Sequence, residues 1–319
     1  MSYRQTTVSG FPAIALRSDE LELIAIPAIG MRLSHLRRLR GREWLWRNDQ
    51  IPLALPGPGS SYAETADSGG WDECFPTVEP SPIPGAPSGT PALADHGELW
   101  SAEWSSSVYE HAEGTTLASA AQGSALPYEF HREVTLDRAA PVVRLRYRVR
   151  HTGTAPFPWI WSAYPLFNVQ PGTTLALPGV HQVKLGAVHG RDDLSRDDVV
   201  SWPGAIGGAP GSFTFPTEGA WAVKLFGDVG PEGRMELTDP RRGERLVMTV
   251  RRDEVPQVGV WINCAGWAPS GRRPYYTLAL QPCIGAPDRL EDAVAWGTAP
   301  MLAPGEERRW SLEVTLPEA

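Results

Sequence analysis

V-R-L-R-Y-R-V-R, residues 143 to 150, alternates at every position. Val143, Leu145, Tyr147 and Val149 fall on one side of an extended chain, and Arg144, Arg146, Arg148 and Arg150 on the other. A helix would wind both sets around its axis. Period two predicts a strand with one face on a core and one in water, as antiparallel sheets require. The C-terminus repeats the pattern, with Trp310, Leu312, Val314 and Leu316 alternating with Ser311, Glu313 and Thr315. Residues 234 to 251 read as a hairpin whose turn is Asp239-Pro240-Arg241-Arg242-Gly243.

Strands are expected at residues 12 to 17, 21 to 27, 31 to 39 and 43 to 47. Leu33, Leu36 and Leu39 fit a helix equally well. The 32 glycines and 31 prolines are spread along the chain and keep strands short. Residues 79 to 92 and 201 to 219 read as long loops. Only residues 287 to 296 look like a short helix, with Pro287 and Asp288 placed for its start. The fold class expected is all-β: a large antiparallel β-sandwich forming a single domain over residues 1 to 319.

The composition agrees with a folded chain, 42% hydrophobic and 21% charged. A net charge of -8 argues against nucleic acid and anionic membrane partners. The arginines between Arg32 and Arg47 are interleaved with apolar residues and read as a solvated sheet face. Cys74, Cys264 and Cys283 cannot all pair, and no C-x-x-C occurs, so neither a disulfide framework nor a zinc knuckle is indicated. The start, MSYRQTTVSGF, lacks a basic segment followed by an apolar one, so no signal peptide is read there and the expected location is cytoplasmic. No apolar run approaches the ~20 residues needed to cross a bilayer. Dinucleotide, Walker, G-x-S-x-G and H-E-x-x-H motifs are missing, so no cofactor or metal is expected.

Four polar and aromatic clusters stand out. They are Trp71-Asp72-Glu73, Asp95-His96-Gly97-Glu98-Leu99-Trp100, Trp159 to Asn168, and Leu278 to Asp288. Carboxylates beside indoles suit a ligand with polar edges and an apolar face, such as a sugar. In an extended chain Asp72 and Glu73 point to opposite faces, so only one should meet a ligand. His131, His151 and His35 sit in charged, strand-like contexts and read as surface residues. Cys283 lacks a basic neighbour and reads as buried and inert.

Taken in order, these clusters resemble the aldose 1-epimerase (galactose mutarotase-like) family. His96-Gly97 matches its first His-Gly. Tyr164-Pro165-Leu166-Phe167-Asn168-Val169 is similar to its H-P-Y-F-N-L segment. Gln281-Pro282 with Gly285-Ala286-Pro287-Asp288 is similar to its E-P…G-x-P-D segment. The resemblance spans the chain from about residue 10 onward and implies a β-supersandwich whose concave face holds a hexose. It also implies cofactor-free chemistry. A Glu base takes the anomeric proton, a His acid protonates the ring oxygen, the ring opens, and it recloses on its other face.

This chain departs from that pattern twice. It has Gln281 where the resemblance places the base, and an amide cannot take a proton at neutral pH. It has Tyr164 where the resemblance places the acid, and a phenol with an ordinary pKa near 10 donates poorly. Each loss should cost roughly 10²-fold or more. The expected reading is therefore a sugar isomerase with a non-standard site. His96 and Gln281 hold hydroxyls, Tyr164 addresses the ring oxygen, and Asp72 or Glu73 supplies the base. Trp71, Trp161, Glu98 and Asn168 are the expected substrate contacts. A sugar-binding protein that has lost its proton-transfer pair is the rival reading. A lyase or hydrolase would need a second poised acid across a cleft, and none is evident. The partner expected is a small-molecule sugar, and the assembly a monomer or homodimer.

Overall fold

In the computed structural model, residues 2–57 and 60–318 are described. Eleven strands form one antiparallel sheet in the order Ser2–Val8, Phe11–Arg17, Leu21–Ile26, Arg32–Arg38, Trp71–Cys74, Trp161–Phe167, Tyr276–Ile284, Gln257–Cys264, Trp221–Asp228, Gln182–His189 and Val199–Ser201. Nine form the second, in the order Ser212–Thr214, Thr174–Ala176, Arg234–Asp239, Glu244–Val250, Glu307–Thr315, Val142–His151, Tyr128–Asp137, Gly114–Gln122 and Ser105–His111. The chain is an antiparallel β-sandwich, as its period-two segments predict.

Alternation decides which side chains enter the core. On Val142–His151, Val143, Leu145, Tyr147 and Val149 are buried between the sheets, and Arg146 and Arg150 are exposed. Across the eleven-stranded sheet Trp71, Trp161, Val223, Val260 and Leu280 face the same core. Their odd–even neighbours Asp72, Tyr164, Lys224, Trp261 and Gln281 lie on the opposite face.

The segment that fits helix or strand equally well is the strand Arg32–Arg38. Its pairing with Leu21–Ile26 slips at a bulge: Ile24 opposes His35, and Ala25 opposes Leu33. The extra residue, Ser34, brings both Leu33 and Leu36 into the core, which produces a helix-like spacing inside a strand. The helix expected at 287 to 296 is shorter, Leu290–Ala295. Residues 43 to 47 make isolated bridges only, Leu45 to Phe167 and Arg47 to Gly69. Within the loop read at 201 to 219 lie a short 3-10 turn at Gly204–Ile206 and the strand Ser212–Thr214.

Two charge readings are corrected. Arg32 is not on a solvated face; it is 1% exposed and paired with Asp72 at 2.7 Å. His151 is not a surface residue either. It is buried, its Nδ1 accepts the Gly153 N–H at 2.9 Å, and its Nε2 lies 2.7 Å from the Ala155 carbonyl. The hydrogen bonds available within the turn outweigh the charged flanks from which exposure was inferred.

The core between the sheets contains one ion pair with its own hydrogen-bond shell. Glu73 accepts from Arg132 at 3.0 Å, Tyr147 at 3.1 Å and Trp161 at 2.9 Å, and neither Glu73 nor Arg132 is exposed. Burial pushes the Glu73 carboxyl up to about 7, against the pull of Arg132. Removing one partner of such a pair leaves a buried charge uncompensated. Glu73→Ala should lose about 3–5 kcal/mol of stability, and Glu73→Gln, which keeps an acceptor, less. Urea unfolding followed by tryptophan fluorescence measures both.

Candidate functional site

On the face of the eleven-stranded sheet turned away from the core lies a cavity of about 220 Å³. His96, Tyr164, Asp67, Asp95, Lys224 and Asp288 line it, together with the half-buried indoles of Trp261 and Trp267. Strand register assembles the floor: Lys224 opposes Trp261, Trp261 opposes Ala279, and Gln281 opposes Gly259. Gly259 leaves space for the amide. A Cβ there would come within 2.8 Å of Gln281 Oε1.

His96 enters from a tight turn. Its φ is +59° and that of Gly97 is +70°, and a Cβ on Gly97 would lie 2.1 Å from the Phe75 carbonyl. Left-handed backbone at a non-glycine residue costs of order 1–3 kcal/mol and persists only where the surroundings enforce it. Here the His96 N–H donates to Val78 O at 2.5 Å, and the imidazole stacks on Tyr62 with ring centroids 4.0 Å apart. Nδ1 lies 2.7 Å from Asp95 Oδ1, which orients it as the donor. Nε2 is buried and has no hydrogen-bond partner among the described residues.

Asp95 also accepts from Ser61 Oγ at 2.8 Å and from the Ala63 N–H at 3.3 Å, tying the Tyr62–Ala66 turn to the histidine. Burial alone would raise the Asp95 carboxyl. The hydrogen bond and charge of His96, with the donors from Ser61 and Ala63, outweigh it and bring the group down to about 2. Asp67 behaves in the opposite way. Burial pushes it up to about 6 against Arg32 and His96, and among the described residues its side chain accepts only the Gly69 N–H, at 3.2 Å.

Tyr164 is packed edge-on to His96 at 4.7 Å between ring centroids. Burial first, then Asp288 and Asp67, push its phenol well above the usual value near 10. It can donate a hydrogen bond but holds its proton. Gln281 stands one layer behind the lining. Its Oε1 accepts from Lys224, which also pairs with Asp288 at 3.0 Å, and its Nε2 has no partner among the described residues.

Solved structures of low sequence identity share this architecture. A galactose mutarotase-like protein from Clostridium acetobutylicum is 10% identical and superposes with a TM-score of 0.69 over 100% of this chain and 99% of its own. A galactose mutarotase related enzyme from Lactobacillus acidophilus is 13% identical, with a TM-score of 0.67 over 96% and 97%. A galactose mutarotase-like protein from Lactobacillus casei is 14% identical, with a TM-score of 0.66 over 96% and 100%. The chain has the galactose mutarotase-like fold. No protein-family model and no curated protein matches its sequence.

Within the galactose mutarotase-like sandwich, the residues singled out in the sequence divide into two groups. His96 and Tyr164 line the cavity, and Gln281 touches it through Lys224. Asp72 lies on the cavity side of its strand but is fully buried behind the lining, held by Arg32 and by the Tyr62 hydroxyl at 2.8 Å. Glu73, Trp71 and Trp161 point into the core between the sheets, so Glu73 is a core ion pair and not a base. Glu98 accepts from Ala125 N at 2.7 Å and Tyr128 Oη at 3.0 Å, fixing a loop. Asn168 donates to the Glu43 and Leu45 carbonyls at 3.0 Å each and braces the backbone.

Residues not foreseen as site members include Tyr62, Asp67, Glu79, Lys224, Trp261 and Trp267. For Lys224 a signal existed: it interrupts W-A-V-K-L-F, a strand otherwise apolar on both faces. Cys283 is buried, and burial pushes its thiol up to about 12. Among the described residues, no group of three or more His, Cys, Asp and Glu side chains is arranged to hold a metal. No helix among the described residues is long and apolar enough to cross a membrane.

A wider hollow of about 840 Å³ opens on the outer face of the nine-stranded sheet. Some of its charged groups are paired: Glu254 accepts from Ser311, Arg148 and Arg309 both meet Glu307, and His131 Nε2 lies 3.2 Å from Glu129. The smaller cavity is the stronger candidate because it gathers an imidazole oriented by Asp95, a buried carboxylate in Asp67, an ammonium and two indoles in one place.

The depressed Asp95 carboxyl sets a pH signature. Its contribution of about 2 kcal/mol is present above its ordinary value of 3.8 and is lost as pH falls toward 2. Wild type should therefore exceed Asp95→Asn by about that amount at neutral pH, with the gap closing in acid. Urea midpoints across pH measure it.

Proposed function

We propose that the cavity binds a hexose or related sugar and interconverts its anomers, with His96 and Asp67 as the proton-transfer pair. The observation that supports this most is His96 Nε2: buried, unpartnered, oriented by Asp95, and lining a cavity of indoles and carboxylates. The Nδ1 contact to Asp95 leaves Nε2 with a lone pair for the anomeric hydroxyl proton. Asp67, pushed up to about 6 by burial, is mostly ionised near neutral pH, and the minor protonated form is the one that passes a proton to the ring oxygen. Opening then breaks the C1–O5 bond and leaves a carbonyl at C1, and reclosure returns both protons. Tyr164 and Lys224 donate hydrogen bonds to hydroxyls, and Trp261 or Trp267 offers a flat surface to the C–H face of the ring. The solved structures of the same fold that bear mutarotase names support this reading.

One observation favours the rival. The Gln281 amide, held by the Lys224–Asp288 pair, occupies the position that the sequence resemblance gives to the base. In that case the protein binds the sugar without turning it over.

Polarimetry on α-glucose and α-galactose separates the two readings. The protein should speed equilibration, and His96→Ala should slow that reaction by roughly 10²-fold or more. No acceleration by wild type, with binding still seen by calorimetry, would leave only the binding reading.

A further inference from the structure

The charges of the cavity do not balance. Asp67, Glu79, Asp95 and Asp288 line it, with Lys224 as their cationic counterpart among the lining lysines and arginines. Two of the acids are satisfied. Asp288 has Lys224 at 3.0 Å, and Asp95 has His96, Ser61 and Ala63. The nearby Arg32 is committed to Asp72 at 2.7 Å.

That leaves Asp67 and Glu79. Asp67 is 8% exposed, and among the described residues its carboxylate accepts only the Gly69 N–H. The Glu79 carboxylate has no hydrogen bond or ion pair among the described residues; its backbone N–H is spent on the Asp288 carbonyl. Burial raises both acids, against the pull of Arg32 and His96 on Asp67 and of Arg196 and Lys224 on Glu79, and Asp288 raises Glu79 further; the cations nearby do not offset burial at either carboxylate. The orphaned His96 Nε2 shows independently that this cavity is built for a polar ligand that completes it.

A phosphate or carboxylate on the ligand would enter against these charges. An ammonium would supply the missing cation, and the half-exposed indole faces of Trp261 and Trp267 tolerate it. We propose that the cavity selects a pyranose bearing a protonated amine over its neutral counterparts and rejects phosphorylated and uronate sugars. This rests on the sugar reading of the cavity and narrows it to a chemical class.

Calorimetry with the intact chain near neutral pH tests it. The titrants are glucosamine, galactosamine and mannosamine, their N-acetyl forms, the parent hexoses, and hexose 6-phosphates. The amines should bind roughly 10-fold more tightly than both neutral series, the gain of one charge-assisted hydrogen bond. The preference should shrink as pH falls through about 6 and Asp67 takes up its proton. Glu79→Gln and Asp67→Asn, with folding checked by thermal melts, should each bring the amine-to-hexose affinity ratio toward one. Equal binding of amine and neutral sugars, or 6-phosphates binding as tightly as amines, would overturn the charge assignment while leaving the sugar reading in place. Binding of none of these sugars would remove both.

Discussion

The division between cavity and core depends first on the pairing of Trp71–Cys74 with Trp161–Phe167, in which Tyr164 lies opposite Asp72 and Ala163 opposite Glu73. That register decides which face each carboxylate takes. Asp72 and Tyr164 go to the cavity side, and Glu73 and Trp161 go into the core. A slip by one residue would place Trp71 and Trp161 in solvent and two polar groups between the sheets, so the apolar burial on one face enforces the polar geometry on the other. The Glu73–Arg132 pair adds a second constraint. It bridges the two sheets, and Tyr147 and Trp161 add the remaining donors around Glu73.

The fold was legible because the strands obey one rule with few exceptions. V-R-L-R-Y-R-V-R can be buried on one side only as a strand. Where the reading faltered, a local device had broken the period. The bulge at Ser34 gave Leu33 and Leu36 a spacing of three, and sequence alone cannot tell a bulged strand from a turn of helix. The short helix Leu290–Ala295 begins later than Pro287 suggested. Asp288, placed for a cap, pairs instead with Lys224 from a distant strand.

The site was legible only in part, and for a different reason. His96 and Tyr164 were found because they sit in recognisable local patterns. Asp72, Glu73 and Glu98 have the right chemistry as residue types, but a carboxylate becomes a base, a bridge or a loop tether according to what stands opposite it. Those partners, Arg32, Arg132 and Ser124, lie 26 to 59 residues away in the chain. The same holds for Asp67, whose value as an acid comes from burial with a single backbone donor.

Gln281 becomes intelligible once Lys224 is placed. The ammonium already has a carboxylate in Asp288, and the amide oxygen gives it a further acceptor without adding charge. A glutamate there would put a second anion on one buried cation, in a cavity that already holds the uncompensated Asp67 and Glu79. The amide is the choice that fits that charge balance. It follows that proton transfer, where it occurs, falls to groups whose protons are not locked. Tyr164 is excluded by its raised phenol and Gln281 by its chemistry. Asp72 is excluded by its bonds to Arg32 and Tyr62, and Glu73 by the core. His96 and Asp67 both line the cavity, and each retains an atom free to accept or give a proton.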